Sequence, residues 1–160
     1  MIGTLNNKEI EEVLLDQIIG RIGCHGNNRT YVVPVSYAYD GKYVYVLIRN
    51  GIKMDIMRRN PELCFEVEIF QDMGNWRTVV AWGIFKELVS EEDRKQALHA
   101  LIHRRLPVVT SETVQLTSSW PFVPADINSI EGIVFRIALN EKSGRYEDAQ
   151  GVDVVSKSFF

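Results

Sequence analysis

The stretch between residues 21 and 48 constrains this chain more than any other. Residues 21–25 form a short apolar run closed by the turn cluster Gly26, Asn27 and Asn28. Residues 31–39 are rich in Val and Tyr, and residues 42–48 return after Asp40-Gly41. Asp-Gly is a preferred pair for a tight hairpin, because both central residues of that turn call for positive φ. Connections this short join antiparallel neighbours, whereas a parallel pair needs a crossover of a dozen residues or more. The region is a three-stranded antiparallel meander, and parallel βαβ architecture is disfavoured. Pro34 lacks a ladder donor in mid-strand, so its strand is bulged or at an edge there.

The flanking segments add helices and longer strands. Ile10, Val13, Leu14 and Ile18 recur at helical spacing within residues 6–18, with Asn6 and Glu9 as capping residues and Gly20 as the stop. A short helix over 53–60 ends at Asn60-Pro61. Strands follow over 63–70 and 76–88, and Gly83 inside the second implies a bulge or a close approach by another backbone. Ser90 and Asp93 cap a helix over 91–104. Residues 107–128 have no clear period, and a last apolar strand spans 132–139. Residues 140–160 read as a polar tail ending in two phenylalanines. The sum is a mainly β (α+β) chain: a six-stranded antiparallel barrel, closed or half-closed, with flanking helices. A length of 160 residues suits a single domain over 1–160.

Charge and composition exclude several classes. The net charge of −3 provides no basic field for nucleic acid or an anionic membrane surface. No apolar run approaches a membrane span, and residues 1–12 lack the layout of a signal peptide. Cys24 and Cys64 both lie in strand-like runs and read as free thiols of a cytoplasmic protein.

Three places could carry chemistry. Between residues 47 and 61 a strand ends, Gly51 turns the chain, and a helix opens at Lys53, with Arg49 just before. Backbone amides at a helix start attract anions and a lysine adds a point charge, so this is either a phosphate seat or a loop with solvated charges. Around Pro34, unpaired backbone groups could serve a planar heteroaromatic ligand, or the strand is simply an edge. Trp76, Arg77 and Thr78 open a strand that loses its side chain at Gly83, and the alternation there allows Trp82 a core-facing position. His99 and His103 share a helix face, but Ala100 stands where a zinc protease carries glutamate and no third ligand is evident, so no metal is expected. His25, at a strand end, is a weak substrate contact. No nucleophile elbow, phosphate-binding glycine loop or dinucleotide fingerprint is present, and no catalytic residue is assigned.

These features occur in an order that resembles the pyridoxamine 5'-phosphate oxidase-like flavoproteins, and within them the nitroimidazole-resistance branch. The matching residues are Gly20-Arg21-Ile22-Gly23, Thr30-Tyr31-Val32-Val33-Pro34-Val35-Ser36-Tyr37 and Tyr39-Asp40-Gly41-Lys42-Tyr43-Val44-Tyr45. Gly51-Ile52-Lys53, Arg58-Arg59-Asn60-Pro61 and Trp76-Arg77-Thr78-Val79-Val80 with Gly83 complete the set. The resemblance implies an FMN-binding split β-barrel working as a homodimer, with a flavin in each interfacial cleft. By position, Val33, Pro34, Val35 and Ser36 would lie along the isoalloxazine, and Leu47 and Ile48 near the ribityl chain. Gly51, Ile52 and Lys53, with Arg49, would hold the phosphate, and Thr78 with Arg77 would meet the flavin. Relatives often carry His-Ser where this chain has Leu47-Ile48, which removes a hydroxyl from the phosphate side. The implied activity is flavin-dependent reduction of small electron-poor molecules, such as nitroimidazoles or other nitroaromatics. A non-catalytic flavin or haem binder on the same barrel is the alternative. Trp120, in the proline-stiffened segment 117–124, either packs on the barrel wall or roofs the cleft and limits substrate size.

Overall fold

The computed structural model describes residues 1–49, 51–104 and 124–149. Among the described residues, seven strands and three α-helices follow in the order β1 (Ile2–Thr4), α1 (Asn7–Asp16), β2 (Ile19–Gly26), β3 (Arg29–Tyr39), β4 (Tyr43–Ile48), α2 (Ile52–Arg59), β5 (Glu62–Asp72), β6 (Asn75–Glu87), α3 (Glu91–His103) and β7 (Ile133–Asp148). The strand order is β1-β7-β4-β3-β2-β5-β6, every pairing is antiparallel, and a further β6–β7 pairing closes the ring. Six strands make the barrel, as the sequence implies. The seventh, β1, is a short addition beside the second half of β7.

Both hairpins of the meander form, with different turn chemistry. Asn27 and Asn28 take φ of 53° and 57°, the pair of positive values a two-residue turn requires. At the second turn only Gly41 is positive, at 94°. The Asp40 carboxylate accepts the amides of Lys42 and Tyr43 at 2.9 and 2.7 Å, fixing the turn through its side chain instead.

Two expectations about the chain ends change. Residues 140–148 are not tail but the second half of β7, which pairs with β1 on one edge and β6 on the other. Gly20 does not stop α1, which ends at Asp16. Gly20 lies inside β2, where a Cβ would stand 2.5 Å from the Phe65 ring. The capping box of α1 is present, with Asn6 and Glu9 exchanging side-chain bonds of 3.0 and 2.7 Å.

The barrel holds the main core. Ile10, Val13 and Leu14 of α1 enter it beside Ile22, Val35, Tyr37, Phe65, Val67 and Phe135. Tyr37 is fully buried, and its hydroxyl donates to the Leu14 carbonyl at 2.8 Å, so α1 is held by a bond as well as by packing. A second cluster lies outside the barrel wall, where Ala97, Leu98 and Leu101 of α3 cover Ala38, Tyr45 and Val134. Gly83 shows both expected features. The β6–β7 register shifts between Trp82 and Gly83, and a Cβ at Gly83 would lie 2.5 Å from the Ala138 carbonyl oxygen. Cys24 and Cys64 are free. Among the described residues no helix is long and apolar enough to cross a membrane.

Candidate functional site

β3 changes its surroundings along its length. On one edge it is laddered to β2 from Arg29 to Ser36. On the other, β4 meets it at Tyr37, Ala38 and Tyr39. Among the described residues, the edge of β3 before Tyr37 therefore faces a split in the barrel. The Tyr37 N–H donates to the Ile18 carbonyl at 2.9 Å. Antiparallel alternation then turns the peptide groups of Val35 and Val33 toward β2, and those of Ser36, Pro34 and Val32 into the split. The N–H that Pro34 lacks falls on this open edge, where no ladder bond is forfeited. Of the four residues 33–36, only Pro34 and Ser36 can offer backbone groups to a ligand there. The Val35 side chain is buried in the core, Val33 packs against it, and Pro34 is exposed.

α2 lies beneath the turn between β2 and β3. Met54, Ile56 and Met57 are buried in the main core. Arg59 donates to Asn27 Oδ1 and Asn60 Nδ2 to the His25 carbonyl, both at 3.0 Å. Arg58 turns the other way, to Glu87 on β6, with bonds of 2.8 and 2.9 Å. At the start of the helix, Gly51 is the N-cap residue without a side-chain cap bond, and Ile52 opens the first turn. Lys53 is half-buried. Burial lowers its pKa from the ordinary lysine value, and the nearby Cys24 thiol works in the opposite direction. Cys24 in turn donates to the Tyr31 carbonyl at 3.7 Å. Lys53 thus lies near Cys24 of β2, the strand that pairs with the first part of β3. Among the described residues no carboxylate pairs with it.

The end of β4 contributes little polarity. Leu47 packs toward the α3 cluster and Ile48 toward the barrel core. Arg49, just beyond, is exposed. Ser36 is different in kind: it is 8% exposed, and among the described residues its Oγ has no hydrogen-bond partner. A buried hydroxyl without a partner and a desolvated ammonium without a counter-ion are both costly. Ser36 borders the split and Lys53 opens α2 near Cys24 of β2, and a hydroxyl and an ammonium of this kind suit an anionic ligand with a polar edge.

Arg77 and Thr78 are not brought to this place. They sit on β6, and two strands, β2 and β5, separate β6 from β3. Thr78 donates to Glu66 Oε1 at 3.1 Å, and Glu66 and Glu68 hold Arg21 at 3.0 and 2.9 Å. Arg77 is exposed in a cleft with Trp76, Asn75 and Tyr146. His25 is exposed, 3.1 Å from Thr30 Oγ1, and borders a shallow groove with Asn60, Glu62, Trp82 and Ile84. Trp82 faces outward, not into the core, and is 44% exposed. With Ile19, Val32 and Ile84 it makes an apolar outer face across β3, β2 and β6, around the Arg21 ion pairs. Alternation in the sequence marks β6 as a strand but cannot choose its inner face, because Val80, Trp82 and Ile84 rival Val79, Ala81 and Phe85. Trp120 lies outside the described residues.

The family model described as pyridoxamine 5'-phosphate oxidase matches residues 6–146, from the cap of α1 to the last turn of pairing in β7. The chain belongs to the pyridoxamine 5'-phosphate oxidase family. The match contains the split, α2 and the ion pairs of the outer face, so all the residues discussed above lie within the family's shared region. An uncharacterised protein of Rhizobium meliloti is 25% identical over 142 residues, covering 88% of this chain and 92% of that protein. A Mesorhizobium loti protein described as FAD-binding superposes with a TM-score of 0.72 at 29% identity, over 92% of this chain and 99% of its own. A Bacteroides thetaiotaomicron protein described in terms of 5-nitroimidazole antibiotic resistance shares the fold, with a TM-score of 0.68 at 15% identity, over 91% of this chain and 89% of its own. The split barrel of the pyridoxamine 5'-phosphate oxidase family is thus this chain's fold.

Proposed function

We propose that this chain binds FMN at the split beside β3, in a cleft completed by a second copy of the chain, and reduces small electron-poor molecules such as nitroimidazoles or other nitroaromatics. The observation that carries the reading is the open edge of β3 before Tyr37, and Lys53 at the start of α2, a half-buried ammonium without a carboxylate partner among the described residues, supports it. Lys53 would take the phosphate, with Arg49 and the amides at the start of α2. Ser36 and Pro34 would offer backbone groups to the isoalloxazine, with Leu47 and Ile48 giving the ribityl side an apolar border. The Mesorhizobium relative's description as FAD-binding supports a flavin. When bound, the flavin supplies reversible two-electron chemistry, from a donor such as a reduced nicotinamide to the acceptor. The protein's part is binding, orientation and exclusion of water.

The dimer is supported by what one chain leaves apart. Thr78 and Arg77 lie two strands from the split, so a second copy must supply them if they are to meet the flavin. The exposed Val32, Trp82 and Ile84 give that copy an apolar surface to cover.

The absorption spectrum of the purified protein tests the cofactor, and fluorescence titrations with FMN, FAD and riboflavin rank the ligands. Saturable quenching by FMN, weaker with riboflavin, is expected. Absence of binding at roughly a hundred micromolar, an affinity weaker than about −5.5 kcal/mol, would sink the reading. Sedimentation should give a dimer, and loss of nitro absorbance under a nicotinamide donor should separate a reductase from a carrier.

A further inference from the structure

We infer that the Ser36 hydroxyl is a ligand group in its own right, donating a hydrogen bond to a carbonyl on the polar edge of the bound flavin. The inference rests on the flavin reading above and goes beyond backbone contacts from β3. Ser36 is at the last position before β3 and β4 part: Tyr37 is paired to Val46, and among the described residues Ser36 has β2 alone as its ladder partner. Its side chain lies on the outer face of the strand, between exposed Pro34 and Ala38, which α3 covers. This is the boundary between packed wall and open edge. At such a boundary a serine normally turns its hydroxyl to water or to a carbonyl. Here the residue is more than nine-tenths buried and, among the described residues, Oγ has no partner. Alanine would fill the same space without stranding a donor, as Ala38 does two residues on.

A stranded hydroxyl lowers the stability of the empty protein and is recovered when an acceptor arrives. A hydroxyl can donate to a neutral acceptor, which suits an amide-like ring carbonyl. The open peptide N–H of Ser36 points into the split from the same residue, so one residue presents two donors, one on the strand edge and one on its outer face.

Ser36→Ala separates this role from packing, because the two make opposite predictions for the empty and loaded protein. The flavin-free variant should unfold at the same or a slightly higher temperature than the parent. Its FMN affinity should fall roughly threefold to tenfold, the loss of one neutral hydrogen bond. In Raman spectra of the bound flavin, a ring carbonyl stretch should move to higher frequency. Ser36→Thr, which keeps the hydroxyl, should keep the parent's frequency. Unchanged affinity and carbonyl stretch in Ser36→Ala would overturn the inference while leaving the flavin reading intact. So would a flavin-free Ser36→Ala protein that is less stable or fails to fold, since the hydroxyl would then have a partner within the protein. Failure of the parent itself to bind FMN would overturn the flavin reading and this inference with it.

Discussion

The two sides of this barrel are built to different standards. On the seam side, β6 is paired with β7 from Asn75 to Glu87, and with β5 from Asn75 to Ile84. There, both edges of a long strand are used, and the backbones approach so closely that Gly83 has no room for a methyl group. On the split side, β3 gives one edge to β2 and, among the described residues, shares the other with β4 for Tyr37, Ala38 and Tyr39 only. Among the described residues no buried side-chain polar atom of β6 or β7 lacks a partner, while Ser36 at the split has an unpartnered hydroxyl and Lys53 an ammonium without a carboxylate. A chain that spends its hydrogen bonds unevenly has one part devoted to stability and another that keeps donors open for a ligand.

The largest test of this contrast is Gly83→Val. Its Cβ would press on the Ala138 carbonyl at 2.5 Å and on Ile137 at 2.8 Å, both fixed by the seam. Strain of this kind should cost roughly 3 kcal/mol, read as a lower urea midpoint with an unchanged slope. A loss below about 1 kcal/mol would mean that the seam yields easily, and the contrast with the split would weaken.

Next in size is Lys53→Met, which acts on the split and spares the seam. Loss of a charge-assisted contact should cost about 1.5–3 kcal/mol of FMN binding, or roughly tenfold to a hundredfold in affinity. The flavin-free fold should be unharmed, because methionine replaces a desolvated ammonium with an apolar chain of similar length. Titration by flavin fluorescence and urea unfolding of the same preparation check the two halves of this statement. An unchanged FMN affinity would remove Lys53 from the site.

The sequence reveals the split side better than the seam. Asn27-Asn28 and Asp40-Gly41 are short-range signals that fix the meander, and Pro34 announces an edge because a central strand cannot hold it. The helix start at Lys53 is equally local. The second half of β7 is hidden, because Asn140, Glu141, Lys142 and Arg145 give it no apolar alternation. What orders it is pairing on both edges and the packing of Gly144 against Leu5 and Ile10, all long-range. β1 is too short to show a period. The outward face of Trp82 is hidden for another reason: both faces of β6 are apolar, so pattern alone leaves its sign open. Arg77 and Thr78 carry the resemblance to flavoprotein relatives, yet their distance from β3 in one chain is a property of strand order, which no local motif records.

A smaller effect sharpens the reading of Pro34. Its missing N–H faces the split, so Pro34→Ala should change stability by no more than about 0.5 kcal/mol, as measured by urea unfolding without flavin. Proline at neighbouring Val35, whose N–H faces β2, should cost roughly 3 kcal/mol by removing a ladder bond and disturbing the core. Equal losses for the two would mean that β3 has no free edge before Tyr37.

The smallest expected effect is a pH trend, and its sign follows from the burial of Lys53. The folded, flavin-free protein holds this lysine at a lowered pKa, while the unfolded chain restores it to near the ordinary 10.5. Between those two values the unfolded state binds more protons than the folded one, so stability from this group rises with pH. At neutral pH, below both values, the full penalty of burying the charge is present, and it is relieved as the solution turns alkaline through the folded pKa. The stability advantage of Lys53→Met over the parent, both without flavin, should therefore be greatest near pH 7 and shrink toward about pH 10. Groups remote from Lys53 are common to both proteins and cancel in the difference, and the Cys24 thiol near Lys53 only narrows the window. Saturating FMN should abolish the trend, because a phosphate beside the ammonium removes the reason for its lowered pKa. A difference that is flat with pH, with and without FMN, would show that Lys53 is solvated, and the split would then hold one unsatisfied group, Ser36, instead of two.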